Sequence, residues 1–348
     1  MSDTADTPVS EAASRPVRTA VIGAGAFGRH HVRIHHELPG SDLVCVVDQS
    51  PEIRAQAEAT YGVRAVATVD ELPDDLEAVS IAVPTPLHHK VARPLLERGI
   101  STLIEKPMVR TLEEGRDLIA AAEKSGAILQ VGHVERFNPA VRALHKHDIS
   151  PRFIEAARVA PFSFRSADVG VVMDLMIHDI DIVLHLAGSK PVRVDAVGVP
   201  VLTHHEDIAN ARVTFENGCV ATLTASRVAT KTERKIRVFS PAAYLVVDFG
   251  EREGFLYRKS PDLTVEKVLE LKRGAKSLAD LKGAVFGELL SAERLTVPPG
   301  DALTAEIEHF LGCVRDRAQP EVSGHEGLAA VSLALQILEA IRTSPAAL

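Results

Sequence analysis

The segment Gly23-Ala24-Gly25-Ala26-Phe27-Gly28 constrains the fold most, because it follows a short apolar run directly and opens a helical pattern. In such a strand–turn–helix the first glycine allows the tight turn and the second lets backbone approach a pyrophosphate. The third permits close packing of helix on strand, and the helix N-terminus offers its amide N–H groups to the anion. Asp48 ends the next apolar run, twenty residues after Gly28, where a carboxylate is placed to accept both ribose hydroxyls of an adenosine. That carboxylate would repel a 2′-phosphate, and Gln49 and Ser50 bring no compensating charge, so NAD is favoured over NADP, with Arg54 near enough in sequence to reach back.

Around this turn, Thr19 to Ile22, Leu43 to Val47, Val79 to Val83, Thr102 to Ile104 and Ile128 to Val131 read as buried strands. The stretches Arg29 to Leu38, Glu52 to Tyr61, Lys90 to Arg98 and Leu112 to Lys124 between them read as helices. Such alternation implies right-handed crossovers and a parallel sheet covered on both faces. The second half changes character. Phe153 to Ala160, Ala209 to Phe215, Val220 to Ser226, Lys235 to Phe239 and Tyr244 to Phe249 are strand-like at antiparallel spacing, and Asn217-Gly218 signals a type I′ hairpin. Helices are expected at Val171 to Leu186, Ala302 to Arg317 and Gly324 to Thr343, and Lys259 to Pro298 reads as peripheral strands with a surface excursion. The fold class is therefore α/β: a doubly wound Rossmann domain over 17–130, then a 131–348 α+β domain with a large, mostly antiparallel open sheet and C-terminal helices, after a disordered leader at 1–16.

The 348 residues carry 47 Asp and Glu against 39 Lys and Arg, a balance that speaks against a nucleic-acid binder. Cys45, Cys219 and Cys313 are far apart and odd in number, which fits a reducing, cytoplasmic setting better than a disulfide framework. No stretch approaches the ~20 continuous apolar residues of a membrane helix.

Two further segments fall at strand carboxyl ends, where an open α/β sheet binds its ligands: Pro84-Thr85-Pro86-Leu87-His88 and Glu105-Lys106-Pro107. A lysine there can lie near a nicotinamide and hydrogen-bond a substrate oxygen. On the mostly apolar helix from Val171, Asp174, His178, Asp181 and His185 recur at helical steps as one polar stripe. Three readings stand: a satisfied structural network, a metal site shared one turn apart, or an acid/base pair in which His178 takes a hydroxyl proton and Asp174 orients it.

Together these residues resemble the Gfo/Idh/MocA oxidoreductases, from about Val17 to the C-terminus. The resemblance rests on the glycine turn, Pro84-Thr85 with His88, Glu105-Lys106-Pro107, the Asp174-x-x-x-His178 helix and the closing Val322-Ser323-Gly324. It implies an NAD-dependent oxidoreductase with Lys106, Asp174 and His178 as catalytic residues and no catalytic metal. It places the cofactor on Gly23, Gly25, Ala26, Phe27, Gly28, Asp48, Thr85, His88, Glu105 and Lys106. It also implies a homodimer or homotetramer formed through the C-terminal sheet. Within the family, Val131 to Pro139 and Asp174 to Asp181 resemble the subgroup that oxidises carbon 3 of UDP-N-acetylglucosamine, on the way to a 3-amino sugar nucleotide and, in some bacteria, lipid A. Ser166-Ala167-Asp168-Val169-Gly170 departs from the glycine-rich run more usual before the catalytic helix, which bears on the shape of the substrate pocket and not on the hydride chemistry. Substrate contacts are then expected from Lys106, Arg136, Asn138, Arg158, Arg165 and His178, with Arg227 also flanking the pocket segments, since guanidinium forks suit phosphate oxygens. The rival readings are a dehydrogenase of a free sugar or inositol, and a non-catalytic NAD-sensing regulator.

Overall fold

A computed structural model describes residues 15–145, 147, 149–163, 168–260, 263–274, 277–284 and 289–344. Residues 1–14 of the leader, Arg165 and the Ser166-Ala167 pair lie outside the described residues. By internal contacts the chain forms two compact units, Met1–Val134 with Leu303–Val331, and Glu135–Ala302 with Ser332–Leu348. The segment Leu303–Val331, which follows the second half in sequence, thus returns to the first unit.

The first unit holds a six-stranded parallel sheet of β1 (Val17–Ile22), β2 (Ser41–Val47), β3 (Arg64–Val66), β4 (Ala78–Ile81), β5 (Ser101–Glu105) and β6 (Leu129–Gly132). Their order, β3-β2-β1-β4-β5-β6, is doubly wound and reverses between β1 and β4. The helices between them are α1 (Gly28–Glu37), α2 (Pro51–Tyr61), α3 (His88–Glu97) and α4 (Leu112–Ser125). Ser50 caps α2 by accepting the Ile53 N–H, and Thr111 caps α4 by accepting that of Glu114. Val21, Val32 and Val46 form one buried cluster with Ala57; Ile34, Leu103, Ile307 and Phe310 form another, the last two from the helix Ala302–Asp316. Three-residue β3 was not expected, being too short to show a period.

The second unit is built on an eight-stranded sheet ordered β14-β13-β12-β11-β7-β10-β9-β8. These strands are β7 (Phe153–Val159), β8 (Pro191–Val199), β9 (Ile208–Phe215), β10 (Val220–Ser226), β11 (Glu233–Phe239), β12 (Ala243–Asp248), β13 (Glu253–Lys259) and β14 (Leu290–Arg294). Every pairing is antiparallel except β7 with β10. Along β7, β11 and β12 burial alternates: Ile154, Val238 and Leu245 are buried, while Phe153, Phe239 and Tyr244 on the opposite face are half-exposed. The β9–β10 hairpin is present, but its turn is not type I′. Gly218 alone has positive φ (80°), and its N–H donates to the Phe215 carbonyl. A type I turn closed by one left-handed glycine needs no positive φ from Asn217, whose Oδ1 instead accepts the Cys219 N–H.

The helix expected from Val171 divides into one π-helical turn (Val172–Met176) and α6 (Ile177–Ala187), ended by Gly188 at φ 56°. Such wide turns inside helices are frequent at functional sites. Among the described residues no helix is long and apolar enough to cross a membrane.

Candidate active site

In the first unit the glycine turn leaves β1 at the point where strand order reverses. The Gly23 N–H donates to the Val47 carbonyl, and its φ of 85° is a left-handed conformation that only glycine adopts without strain. A Cβ there would lie 2.8 Å from the Ala82 oxygen, and one on Gly28 would lie 1.8 Å from the Gly23 oxygen. Gly25 is different: a Cβ on it would meet nothing within 4 Å. Its lack of a side chain therefore serves something other than packing within the chain.

A cavity of about 510 Å³ opens beside this turn, lined by Gly23, Gly25, Asp48, Thr68, Val83 and Pro84 among others. The Asp48 carboxylate is held at its rim by accepting the Ala24 N–H (2.8 Å) and the Ser50 N–H (2.9 Å). Arg54 does not turn toward the carboxylate; its Nη1 donates to the backbone carbonyls of Asp48 and Gln49. An open glycine turn with a fixed carboxylate across a cavity of this size fits a dinucleotide. Ala26 lines an adjoining cavity, and Phe27 is 45 % exposed. Thr68 and its neighbours Ala67 and Val69 were missed because they follow the short strand β3.

Thr85, His88, Glu105 and Lys106 do not line the cavity. Thr85 begins a short turn leading to α3. His88 is buried between the end of β4 and the segment after β5, with Nε2 2.8 Å from the Val83 carbonyl oxygen and Nδ1 3.0 Å from that of Pro107; a neutral ring donates to one of the two. Burial pushes its imidazole below the ordinary range. The Glu105 carboxylate folds back to accept the Lys106 N–H at 3.2 Å and meets the buried His31 ring at 3.0 Å. Lys106 itself is half-buried, at a cis Lys106–Pro107 bond.

In the second unit, Asp174 sits in the π-turn and His178 one residue into α6, both half-buried. The expected stripe does not continue as one surface: Asp181 is buried with Arg136 Nη1 at 3.4 Å, and His185 is exposed. Among the described residues no three His, Cys, Asp or Glu side chains gather as metal ligands.

The arginines expected as phosphate forks are largely committed elsewhere. Arg158 is buried and places all three guanidinium nitrogens on carboxylates, Nε and Nη2 on Asp179 and Nη1 on Glu135. Burial opposes ionisation of Glu135, but the Arg158 guanidinium beside it holds its carboxyl below the usual range, while burial pushes that of Asp179 up. Arg227 is likewise spent on Asp207 (2.6 Å), the Val169 carbonyl and Thr203. Asn138 is half-buried: its amide donates to Glu135, and its oxygen accepts the Ala140 N–H at the start of α5 (Pro139–His145). A fork with all three nitrogens engaged on interior acceptors is not presented as a bidentate fork to a ligand. Sequence alone offered two facing charges no partner, because they lie 21 residues apart.

Residues 17–133 match the model of an oxidoreductase family with an NAD-binding Rossmann fold, GFO/IDH/MocA, and residues 140–245 match a C-terminal domain of the same family. The UDP-N-acetylglucosamine 3-dehydrogenase of Acidithiobacillus ferrooxidans is 37% identical over 93% of this chain and 97% of that protein. A solved structure of that enzyme superimposes with a TM-score of 0.83, covering 94% of this chain and 98% of its own. The D-apiose dehydrogenase of Paraburkholderia graminis is 26% identical over 96% of this chain and 90% of its own length.

Proposed function

The chain belongs to the GFO/IDH/MocA oxidoreductases, and from that membership we propose that it is an NAD-dependent dehydrogenase acting on carbon 3 of UDP-N-acetylglucosamine. The observation that carries the substrate is the near full-length likeness to an enzyme of that activity. The arginine forks no longer support it at Arg158 and Arg227.

NAD, when bound, supplies the acceptor for a hydride leaving the carbinol carbon. Gly23, Gly25 and Asp48 are the residues we assign to hold it. In the first unit, the Lys106 ammonium is assigned to donate to the substrate oxygen as negative charge develops there. In the second, His178 is assigned to take up the hydroxyl proton on a ring nitrogen, with Asp174 setting its tautomer. The test is NADH formation from NAD⁺ with UDP-N-acetylglucosamine, free N-acetylglucosamine and inositol side by side. A glutamate-dependent aminotransferase or a chemical ketone trap is included, because oxidation of a secondary alcohol by NAD⁺ is uphill. Turnover of the sugar nucleotide, with UDP alone stabilising the protein, is the expected result. Turnover of free sugar or inositol only would overturn the substrate and leave the family intact.

We further propose that a second copy covers the open face of the eight-stranded sheet and that the protein works in the cytoplasm. On that face Phe153, Phe239, Tyr244 and Tyr257 stack in a row with ring centroids 5.6, 4.7 and 5.5 Å apart. A half-exposed aromatic row across four strands is costly to leave in water. Cys45, Cys219 and Cys313, all buried and unbridged, support a reducing compartment. Light scattering is expected to give a dimer or tetramer, reduced toward the monomer by Tyr244→Arg; a monomeric wild type would overturn the interface.

A further inference from the structure

His31 plays no part in the chemistry assigned above, yet it is fully buried and makes one directed contact. It lies on α1, one turn after Gly28, and its Nε2 stands 3.0 Å from Glu105 Oε1 at the end of β5. A carboxylate oxygen accepts, so the ring proton resides on Nε2; Nδ1 meets no hydrogen-bond partner. The other Glu105 oxygen accepts the Lys106 backbone N–H at 3.2 Å. Room for the folded-back carboxylate comes from Gly132, where a Cβ would come within 2.9 Å of Glu105 Oε1. On the other side of the same segment, the buried His88 ring packs with Nδ1 3.0 Å from the Pro107 carbonyl oxygen.

We propose that His31, acting through Glu105, is a positioning residue that sets the backbone from which Lys106 reaches the substrate oxygen. The inference rests on the reading of Lys106 as the group that bonds that oxygen. A bidentate carboxylate has two rotamer-dependent oxygens, and only a donor on the far side keeps one of them on the lysine N–H. A buried glutamate whose far oxygen lost its donor would rotate to find another, and the lysine would lose its fixed origin. Phe27, edge-on to the His31 ring with centroids 5.5 Å apart, seats the imidazole from the glycine turn. The spacing Gly28, His31, Val32, His35, all buried on one face of α1, was the signal in the sequence, and it did not say which partner the histidine would meet.

The test compares His31→Leu, His31→Asn and His31→Gln in the full chain with NAD present. Glutamine returns an N–H donor at nearly the reach of Nε2; asparagine is too short, and leucine has none. Leucine and asparagine are expected to lower kcat by about 10- to 100-fold, the cost of a misplaced group, with KM and NADH affinity changed little. Glutamine is expected to recover most of kcat. Acylation of Lys106 by acetic anhydride, measured against exposed Lys124 by mass spectrometry, should run several-fold faster in the leucine and asparagine variants. Equal kcat in all three variants would overturn the proposal, as would a loss that follows NADH affinity, which would assign His31 to the glycine turn instead. If wild-type protein oxidises no sugar nucleotide, the substrate reading fails on that result alone, and the labelling ratio still decides the role of His31.

Discussion

Arg158 and Asp179 meet as a bidentate pair inside the second unit, with guanidinium Nε 3.1 Å and Nη2 2.8 Å from the two carboxylate oxygens. Asp179 is the neighbour of His178 on α6, and Arg158 is on β7, so the pair fixes α6 against the sheet. Removing one member leaves buried charge uncompensated on Asp179 and Glu135. Arg158→Ala is therefore expected to lower unfolding free energy by about 3–5 kcal/mol in urea titrations, and neutralising Glu135 and Asp179 alongside Arg158→Met should recover much of it. A variant of unchanged stability that lost UDP affinity would restore the phosphate-fork role.

Gly25 and Gly23 should respond oppositely. Gly25→Val adds a side chain to open space and is expected to keep the melting temperature while abolishing NADH binding, followed by fluorescence titration. Gly23→Ala forces a Cβ against the Ala82 oxygen at positive φ and is expected to cost about 1–3 kcal/mol of stability. Normal NADH affinity in Gly25→Val would move the pyrophosphate elsewhere.

Asp48 should govern cofactor choice. The Arg54 guanidinium is held by the backbone carbonyls of Asp48 and Gln49 and does not neutralise the Asp48 carboxylate, whose charge would repel a 2′-phosphate. Asp48→Ala is expected to weaken NAD⁺ by about 10- to 100-fold, the weight of charge-assisted bonds, and NADP⁺ far less. Wild-type protein that binds NADP⁺ as tightly as NAD⁺ contradicts this assignment.

His178 should carry acid–base chemistry without a metal. His178→Ala is expected to lower turnover by about 10²–10⁴-fold while NADH binding persists. Wild-type activity should survive exhaustive chelation; a stoichiometric metal whose removal stops turnover would revive the metal reading of the helix.

Asp207 sets a limit on acid stability. Its burial opposes ionisation, but the N–H groups of Leu202, Thr203 and Val201, with Arg227, hold its carboxyl well below the usual range. A carboxyl depressed on folding stabilises fully above its unfolded value of about 3.9, and that stabilisation is lost as pH falls toward the folded value. The stability gap between wild type and Asp207→Asn should thus stay level from about pH 5 to 8 and shrink below about pH 4. A gap that persists unchanged into that acid range would refute the assignment.

What the amino-acid order determined by itself is local or periodic. The positive φ at Gly23, the alternation of strand and helix around it, and the aspartate at the end of β2 follow from backbone sterics and from runs within a few residues. The parallel sheet, the antiparallel sheet and the glycine turn were legible for that reason. Tertiary structure decided where charge and polarity are spent. Arg158 and Arg227 read as ligand forks until the fold brought them to Asp179 and Asp207, and His31 had no legible role until α1 packed beside Glu105, 74 residues away. The π-turn under Asp174 and the type I turn at Asn217-Gly218 are settled the same way, by the packing of the helix and strands they serve. A side chain's type restricts what it can bond, but its partner is chosen by whichever element the burial of apolar surface sets against it.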